Sequence, residues 1–379
     1  MTNTVERAID QICFSVEETV RGTPVFPSSA AQMIVTAGPA DINQQPSFSD
    51  SEEFHNTLDL LERFQDQTGP GSWAIPMYVR PSGTAGTEPM GEVLFKSLTG
   101  KETIVASTSV TYGLAKTKPS FTMWAKKGDT VYFGAGACAE TCRLNFVNKG
   151  AAKIEMSGGF MRMGWAGKSA VSGAVSLSNT VGVANAKLFT KDSYVQIGSD
   201  TNSDNGYRIE SIDYDTNTLT MVDTLSCSDG AEIKGFLPAY PAIGTPLENK
   251  TLQIKFDGVK KNVKSLNVEI NSPVAWQADE ITSSGYAEEY VEDQRAIKVS
   301  AEILQRTQDL EYFYNGINNK KTNVVAVLSG GDGKTCTVNL PFTEFEVPNI
   351  QTEKPTIKLS VSGTALGSVG EDSCSIVFT

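Results

Sequence analysis

Short runs in which apolar and polar side chains alternate residue by residue, broken by glycine and proline, constrain this chain to a mainly β fold. In GSWAIPMYVRP, Trp73, Ile75, Met77 and Val79 fall on one side and Ala74, Pro76, Tyr78 and Arg80 on the other. In RAIKVSAEIL, Ile297, Val299, Ala301 and Ile303 form one face, and Lys298, Ser300 and Glu302 the other. The 33 glycines and 16 prolines sit mostly between such runs, as turn punctuation for strands. A length of 379 residues exceeds one ordinary core and points to two or three domains of about 100 to 200 residues each.

The two alternating runs share their surroundings. PSFSDSEEFHNTLDLLERF (residues 46–64) and AWQADEITSSGYAEEYVEDQRAIKVSAEIL (residues 275–304) are serine- and acid-rich approaches to a strand. After the first strand, the loop PSGTAGTEP leads to MGEVLFKSLTG, where Met90, Val93, Leu94 and Leu98 recur at helical spacing and Gly100 supplies a stop. After the second, TQDLEYFYNGINN sets Leu310, Phe313, Tyr314 and Ile317 at i, i+3, i+4 and i+7. Each predicted helix precedes a predicted strand, TIVASTSV (103–110) and TNVVAVLS (322–329). Residue identities match poorly, but the order of elements recurs, which predicts one structural unit used twice. Between the repeats, YVQIG, YRIESID and TLTMVD are joined by polar turns within an inserted β module of about 80 residues, 168–247. The expected units are therefore 1–167, 168–247 and 248–379. Residues 23–49, rich in Pro, Ser, Ala and Gln, read as an extended arm laid along something else.

Candidate chemistry does not assemble into a mechanism. His55, the single histidine, sits among Asp50, Glu52, Glu53 and Asp59 with no Ser or Cys nucleophile motif beside it, and reads as scaffold. Cys138 and Cys142, in CAETC, are half of a metal or redox site at most, and read as two thiols near a hairpin. DTNSDNG (200–206) fails as a calcium loop because glycine comes one position late and Ser211 stands where a bidentate Glu belongs, leaving a hairpin turn. GGDGKT (330–335) lacks the first Walker glycine, Leu328 standing there, and precedes a strand pattern, so it too reads as a hairpin turn. Trp73, Trp124, Trp165 and Trp276 are candidates for a carbohydrate groove or for core and interface packing. No cofactor is expected. The formal charge of −12 argues against a surface that grips nucleic acid. The first residues, acidic and without a long apolar core, are not expected to direct secretion, and VVAVL, the longest strongly apolar run, is far short of a membrane span. The cysteine usage fits reduced, cytoplasmic folding.

The order EETVRGTPVFP, acidic-serine stretch, strand, Gly-rich loop, short helix and further strands resembles the major tail tube protein of long-tailed, non-contractile bacteriophages. The resemblance covers most of the chain, including PMGEVLFKSLTG and QRAIKVSAEILQRTQDLEYFYNG, and the segment from KIEMSGGFMRMGWAG through GFLPAYPAIGTPLENKTLQIKFDG is similar to the inserted module of larger tube proteins. It implies two tail-tube-type β-sandwich or barrel domains, each with a short helix, plus an inserted small β domain on the tube exterior. It also implies a structural virion protein, not an enzyme, assembled in the host cytoplasm into stacked trimeric, pseudo-hexameric rings through which DNA passes without specific binding. Implied partners are other copies of the chain and the tape measure, terminator and distal tail proteins, with no membrane. Ring-stacking candidates are Phe26, Phe48, Glu52, Glu53, Tyr286, Glu288 and Tyr290; lumen candidates are Asp59, Glu62, Ser300 and Glu302, on a wall expected to be dominated by Asp, Glu, Ser and Thr. The alternative is a β-rich adhesin or a carbohydrate-binding, fibre or decoration protein.

Overall fold

The computed structural model describes residues 11–53, 59–281, 285–331 and 333–379. Strands take 52% of the chain and helix 8%, which makes the fold mainly β. The first repeat runs β1 (Gln11–Glu17), β2 (Met33–Ile34), β3 (Asp41–Asn43), a small hairpin β4 (Phe48–Asp50) and β5 (Arg63–Gln65), then β6 (Gly71–Tyr78) and helix α1 (Glu92–Thr99). It continues with β7 (Gly100–Val105), β8 (Ser109–Leu114), β9 (Phe121–Lys127), β10 (Thr130–Ala137), β11 (Thr141–Val147), β12 (Lys153–Phe160) and β13 (Arg162–Ala166). The alternation in β6 buries Trp73, Ile75 and Met77, with Val79 just beyond the strand, as expected. Helix α1 buries Val93, Leu94 and Leu98 and ends at Gly100, whose φ is +94°. A Cβ there would lie 2.5 Å from the Thr117 carbonyl oxygen, so both the backbone conformation and the space require glycine.

After the inserted strands β14 (Lys168–Ala170), β15 (Val175–Gly182), β16 (Tyr194–Ile197), β17 (Tyr207–Asp213), β18 (Thr218–Cys227) and β19 (Glu232–Gly235), the second repeat begins. It comprises β20 (Gln253–Phe256), β21 (Val259–Lys261), β22 (Val263–Asn271), a hairpin β23 (Val274–Trp276) and β24 (Tyr290–Glu292), β25 (Ala296–Leu304) and helix α2 (Glu311–Ile317). Strands β26 (Lys321–Ser329), β27 (Thr335–Phe345), β28 (Asn349–Glu353), β29 (Thr356–Ala365) and β30 (Ser375–Phe378) complete it.

The sheets show the duplication directly. One layer of the first repeat has the order β13-β10-β9-β1-β2, and the second repeat has β30-β27-β26-β20-β21. The other layer runs β11-β12-β6-β3 in the first and β28-β29-β25-β22 in the second. These are the same strands in the same places, and the small hairpins β4–β5 and β23–β24 fill the same interval of the chain. Register agrees as well: the step along the chain that carries Asp41 to Asn267 also carries its partner Ala74 to Ser300.

Two expectations need correction. Residues 103–110 are not one strand but cross the tight turn of the β7–β8 hairpin, where Ser107 takes a φ of +56° and Thr108 N–H donates to the Val105 carbonyl. The counterpart of β26 is β9, and the β7–β8 hairpin has no equivalent in the second repeat. An alternating pattern alone does not reveal a turn built without glycine or proline. In α2, Leu310, Tyr314 and Ile317 are 52%, 69% and 71% exposed, whereas Tyr312 is buried. Leu310 belongs to a 3-10 turn (Thr307–Leu310), whose tighter winding offsets the helical phase that follows.

The repeats are fused. Strand β11 pairs with β22 from Thr141↔Asn271 to Val147↔Ser265, and β8 pairs with β30 from Val110↔Phe378 to Gly113↔Ser375. One hydrophobic core consequently runs through both, from Cys13 and Trp73 to Val361 and Phe378. The units read as 1–167 and 248–379 are thus two repeats around a shared core. The insert has a six-stranded sheet and its own core of Val181, Ile209, Leu219, Met221 and Ile233 among others. Its sheet ends at Gly235, and residues 236–247 return over the first repeat, burying Leu237 beside Phe14 and Trp124. The insert does not hang on linkers. Phe26 stacks on Tyr194 at 4.1 Å, Asp192 bridges Arg162 and Arg208 at 2.6 Å each, and Lys168 reaches Asp129 at 3.0 Å.

Trp73 ties the two layers together: its Nε1–H is shared between the carbonyls of Cys138 (3.1 Å) and Gly159 (3.2 Å), and its ring meets Phe121 edge to face at 5.5 Å. Replacing Trp73 with Ala should cost about 3–5 kcal/mol of stability in urea denaturation, as deletion of a fully packed aromatic does.

Candidate assembly surfaces

The surface with most structural definition is the joint between the repeats, because it shows what an exposed edge of this fold accepts. Across it, Cys142, Leu144 and Phe146 of β11 face Ile270, Val268 and Leu266 of β22, and all are buried on the core side. On the solvent side, Arg143 donates to Glu269 at 3.1 and 3.2 Å. Register extends this pair into a row, Glu155–Arg143–Glu269–Lys298, that alternates in sign over four neighbouring strands.

Polar groups fasten the end of the joint. Lys118 is only 4% exposed; its Nζ donates to the carbonyls of Ala139 (3.0 Å) and Ser272, and its backbone N–H donates to Glu292 Oε1 at 3.0 Å. Arg295 donates to the Ala115 carbonyl at 2.8 Å and to Ser272 Oγ at 3.2 Å. Burial lowers the Lys118 ammonium from its ordinary value to about 8, against the opposing pull of Cys138, Glu140 and Glu292. The segment KTKPS gave no sign of this role, since a lysine in a polar turn reads as solvated.

Two edges of the same layer stay open. Among the described residues, β3 pairs only with β6, and β28 pairs only with β29; every residue of β28 is exposed. By the repeat correspondence, β3 is the equivalent of β22 and β28 the equivalent of β11. The open edges are therefore counterparts of the two strands that join inside the chain. Exposed strand edges normally carry features that discourage pairing, and these two are short and polar.

The sequence-derived candidates divide. Ser300 and Glu302 lie on the polar face of this layer, Ser300 between Asn267 and Ser362, and Glu302 at 3.8 Å from Lys358. Asp59 and Glu62 lie elsewhere, between β4 and β5, where the Glu62 carbonyl accepts from Ser51 N–H at 3.1 Å. The polar face is charge-alternating instead of acid-dominated: besides the row above, Lys153 meets Glu155 at 3.1 Å, and Lys264 and Lys358 meet Glu353 at 3.3 and 3.1 Å. Net charge gave the sign of the whole surface, but only strand register reveals the pairing on one face.

Among the stacking candidates, Phe26 is engaged by Tyr194, and Tyr290 is buried beneath the Arg21 guanidinium, 3.9 Å from the ring centroid, and beside Trp276. Tyr286 and Glu288 line an open cleft of about 580 Å³ with Arg21 and Arg162. Phe48, Glu52 and Glu53 are exposed on the β4–β5 arm, and the arms meet at their bases, where Thr68 N–H donates to the Gly285 carbonyl at 2.9 Å. The expected long arm over residues 23–49 is thus shorter, since β2 and β3 are already paired with β1 and β6. His55 lies outside the described residues.

The remaining motifs are structural. CAETC is not at a hairpin but carries the chain from one layer to the other, and burial raises the Cys138 thiol to about 12. Residues 200–206 turn between the paired strands β16 and β17, and β26 and β27 pair up to Ser329↔Thr335, with Lys334 N–H donating to the Gly331 carbonyl at 3.1 Å. The four tryptophans stand on four different strands, with Trp73 and Trp124 fully buried, so they do not form one groove. Among the described residues, no cluster of three His, Cys, Asp or Glu side chains is placed to hold a metal, and no helix is long and apolar enough to cross a membrane. Neither a protein-family model nor a curated protein matches this chain.

Lys118 supplies a pH test of the joint. Between pH 8 and 10.5 the unfolded chain holds a proton at this site that the folded chain lacks, so stability rises with pH through that window, and below it the full burial penalty applies. The difference in unfolding free energy between wild type and Lys118→Met should shift in favour of wild type by about 3 kcal/mol from pH 8 to 10.5, read from urea midpoints.

Proposed function

We propose that the chain is a self-assembling structural protein whose copies join edge to edge into rings of three, stacked as the tail tube of a long-tailed, non-contractile bacteriophage. The observation that carries this reading is the pair of open edges, β3 and β28, equivalent to the two strands already joined within the chain. Such edges make a head-to-tail contact, and head-to-tail contacts close into rings when the rotation permits. With two repeats per chain, the six-unit ring implied by the resemblance takes three copies.

The layer order supports one reading of inside and outside. The continuous layer that contains β6, β11, β22 and β25 presents its polar face to the lumen, with Ser300 and Glu302 on it. The insert packs beyond the opposite layer, against Trp124 and Phe26, which supports an exterior position in such a tube. A face on which Arg143, Lys153, Lys264 and Lys358 each meet a carboxylate offers a passing DNA backbone few unpaired positive charges to hold it. Phe48, Glu52 and Glu53 on the first arm, with Tyr286 and Glu288 at the second, are the contacts offered to the next ring. Tape measure, terminator and distal tail proteins are the further partners of such a tube. All six cysteines are unbridged, in keeping with assembly in a reducing host cytoplasm. The role is mechanical and requires no catalytic residue. An adhesin or carbohydrate-binding role would draw on a shared aromatic surface, for which the dispersed tryptophans provide little support.

Native mass spectrometry and averaged electron micrographs of purified protein should show rings of three chains and stacks of them; rings of six chains, or persistent monomers at high concentration, would overturn the reading. The ends of the insert meet where Gly235 N–H donates to the Gly167 carbonyl at 3.0 Å, so a short Gly/Ser linker can replace residues 168–235. That variant should still form rings, and a folded deletion variant without them would refute an exterior, dispensable insert.

A further inference from the structure

The internal joint fixes more than which edges meet. Glu140 N–H donates to the Ser157 carbonyl at 2.9 Å, and Glu346 N–H donates to the Ser362 carbonyl at 2.8 Å, which aligns the approach to β11 with the approach to β28. Stepping onward, Arg143, Leu144 and Asn145 correspond to Asn349, Ile350 and Gln351, and their partners on β12 and β29 agree. On the other edge, Asn267, Val268 and Glu269 correspond to Asp41, Ile42 and Asn43, again with matching partners on β25 and β6.

Resting on the ring reading, we infer that β28 of one copy pairs antiparallel with β3 of the next in the register that sets Asn349 opposite Asn43, Ile350 opposite Ile42 and Gln351 opposite Asp41. The partner is a second copy of this chain. In the internal joint the equivalent apolar pair, Leu144 and Val268, is 1% exposed on each side, whereas Ile350 is 56% exposed in the single chain. Pairing with Ile42 covers it. On the polar face, Asn43 and Asn349 exchange amide hydrogen bonds, and the Gln351 amide donates to the Asp41 carboxylate.

The alternatives are disfavoured by named residues. Because β29 already fixes the facing of Ile350, a slip of one residue sets it opposite Asp41 or Asn43, whose side chains face the other way. A slip of two in one direction sets Glu353 against Asp41, like charge against like, and in the other it removes Ile350 from Ile42. The register is therefore specified by few residues, as befits a short edge.

The test uses the full chain in a Cys227→Ser background, the other cysteines being buried. Mild oxidation of Asn43→Cys/Asn349→Cys should give covalent trimers, with little product from the shifted pair Asn43→Cys/Gln351→Cys. Rings by microscopy with cross-linking absent, or stronger in the shifted pair, overturn the register while leaving the ring reading intact; absence of rings from wild type overturns both. Ile350→Asp gives an independent readout. It should leave the monomer's melting temperature unchanged and raise the concentration needed for ring formation by about tenfold or more, because it places an unpaired charge in a covered position. Unimpaired ring formation by this variant overturns the proposal.

Discussion

A β-strand edge with unpaired N–H and C=O groups must be satisfied by water or by another strand, and this requirement organises the molecule. In the first repeat β11 would be such an edge; the second repeat lays β22 against it over seven residue pairs. From that pairing follow the shared core, the uninterrupted layer, the burial of Lys118 and the anchoring of the half-buried Arg295 at its end. At β3 and β28 the same requirement falls to water in the single chain, and the proposed pairing of copies would meet it with a strand.

Much of this was legible in the sequence where side chains obey a local rule. The period-two patterns of β6 and β25 gave the faces of those strands, Gly100 gave the end of α1, and the recurrence of acidic approach, strand and helix gave the duplication. Legibility failed where long-range contact decides. Nothing in NIQTEKPTIKLS marks β28 as an edge, because its exposure depends on what lies beside β29. Tyr290 read as a surface residue of an acidic loop, yet the second arm folds back on the first repeat and buries it beneath Arg21. In α2, where a 3-10 turn precedes the helix, Phe313 packs against the core as helical spacing predicts, whereas Leu310, Tyr314 and Ile317 are exposed and Tyr312 is buried instead. Of the candidates expected on polar strand faces, Ser300 and Glu302 do lie on one, whereas Asp59 and Glu62 lie outside any strand, on the first arm.

The internal joint and the proposed joint between copies are related but unequal. Inside the chain both layers are bridged, one by β11–β22 and the other by β8–β30, with α1 packed close by through Phe95 and Phe378 at 5.4 Å. In the proposed contact between copies the second repeat has no hairpin to offer, so only one layer would be bridged. A copy can then fold fully before it associates.

The β7–β8 hairpin has one further consequence. Found in one repeat among the described residues, it would mark alternate joints around the proposed ring of three, so that the inner wall would approach sixfold repetition while the outer wall would repeat three times. A partner gripping the outside of such a ring would meet a surface with a built-in phase, and each added ring would have three equivalent angular settings in place of six.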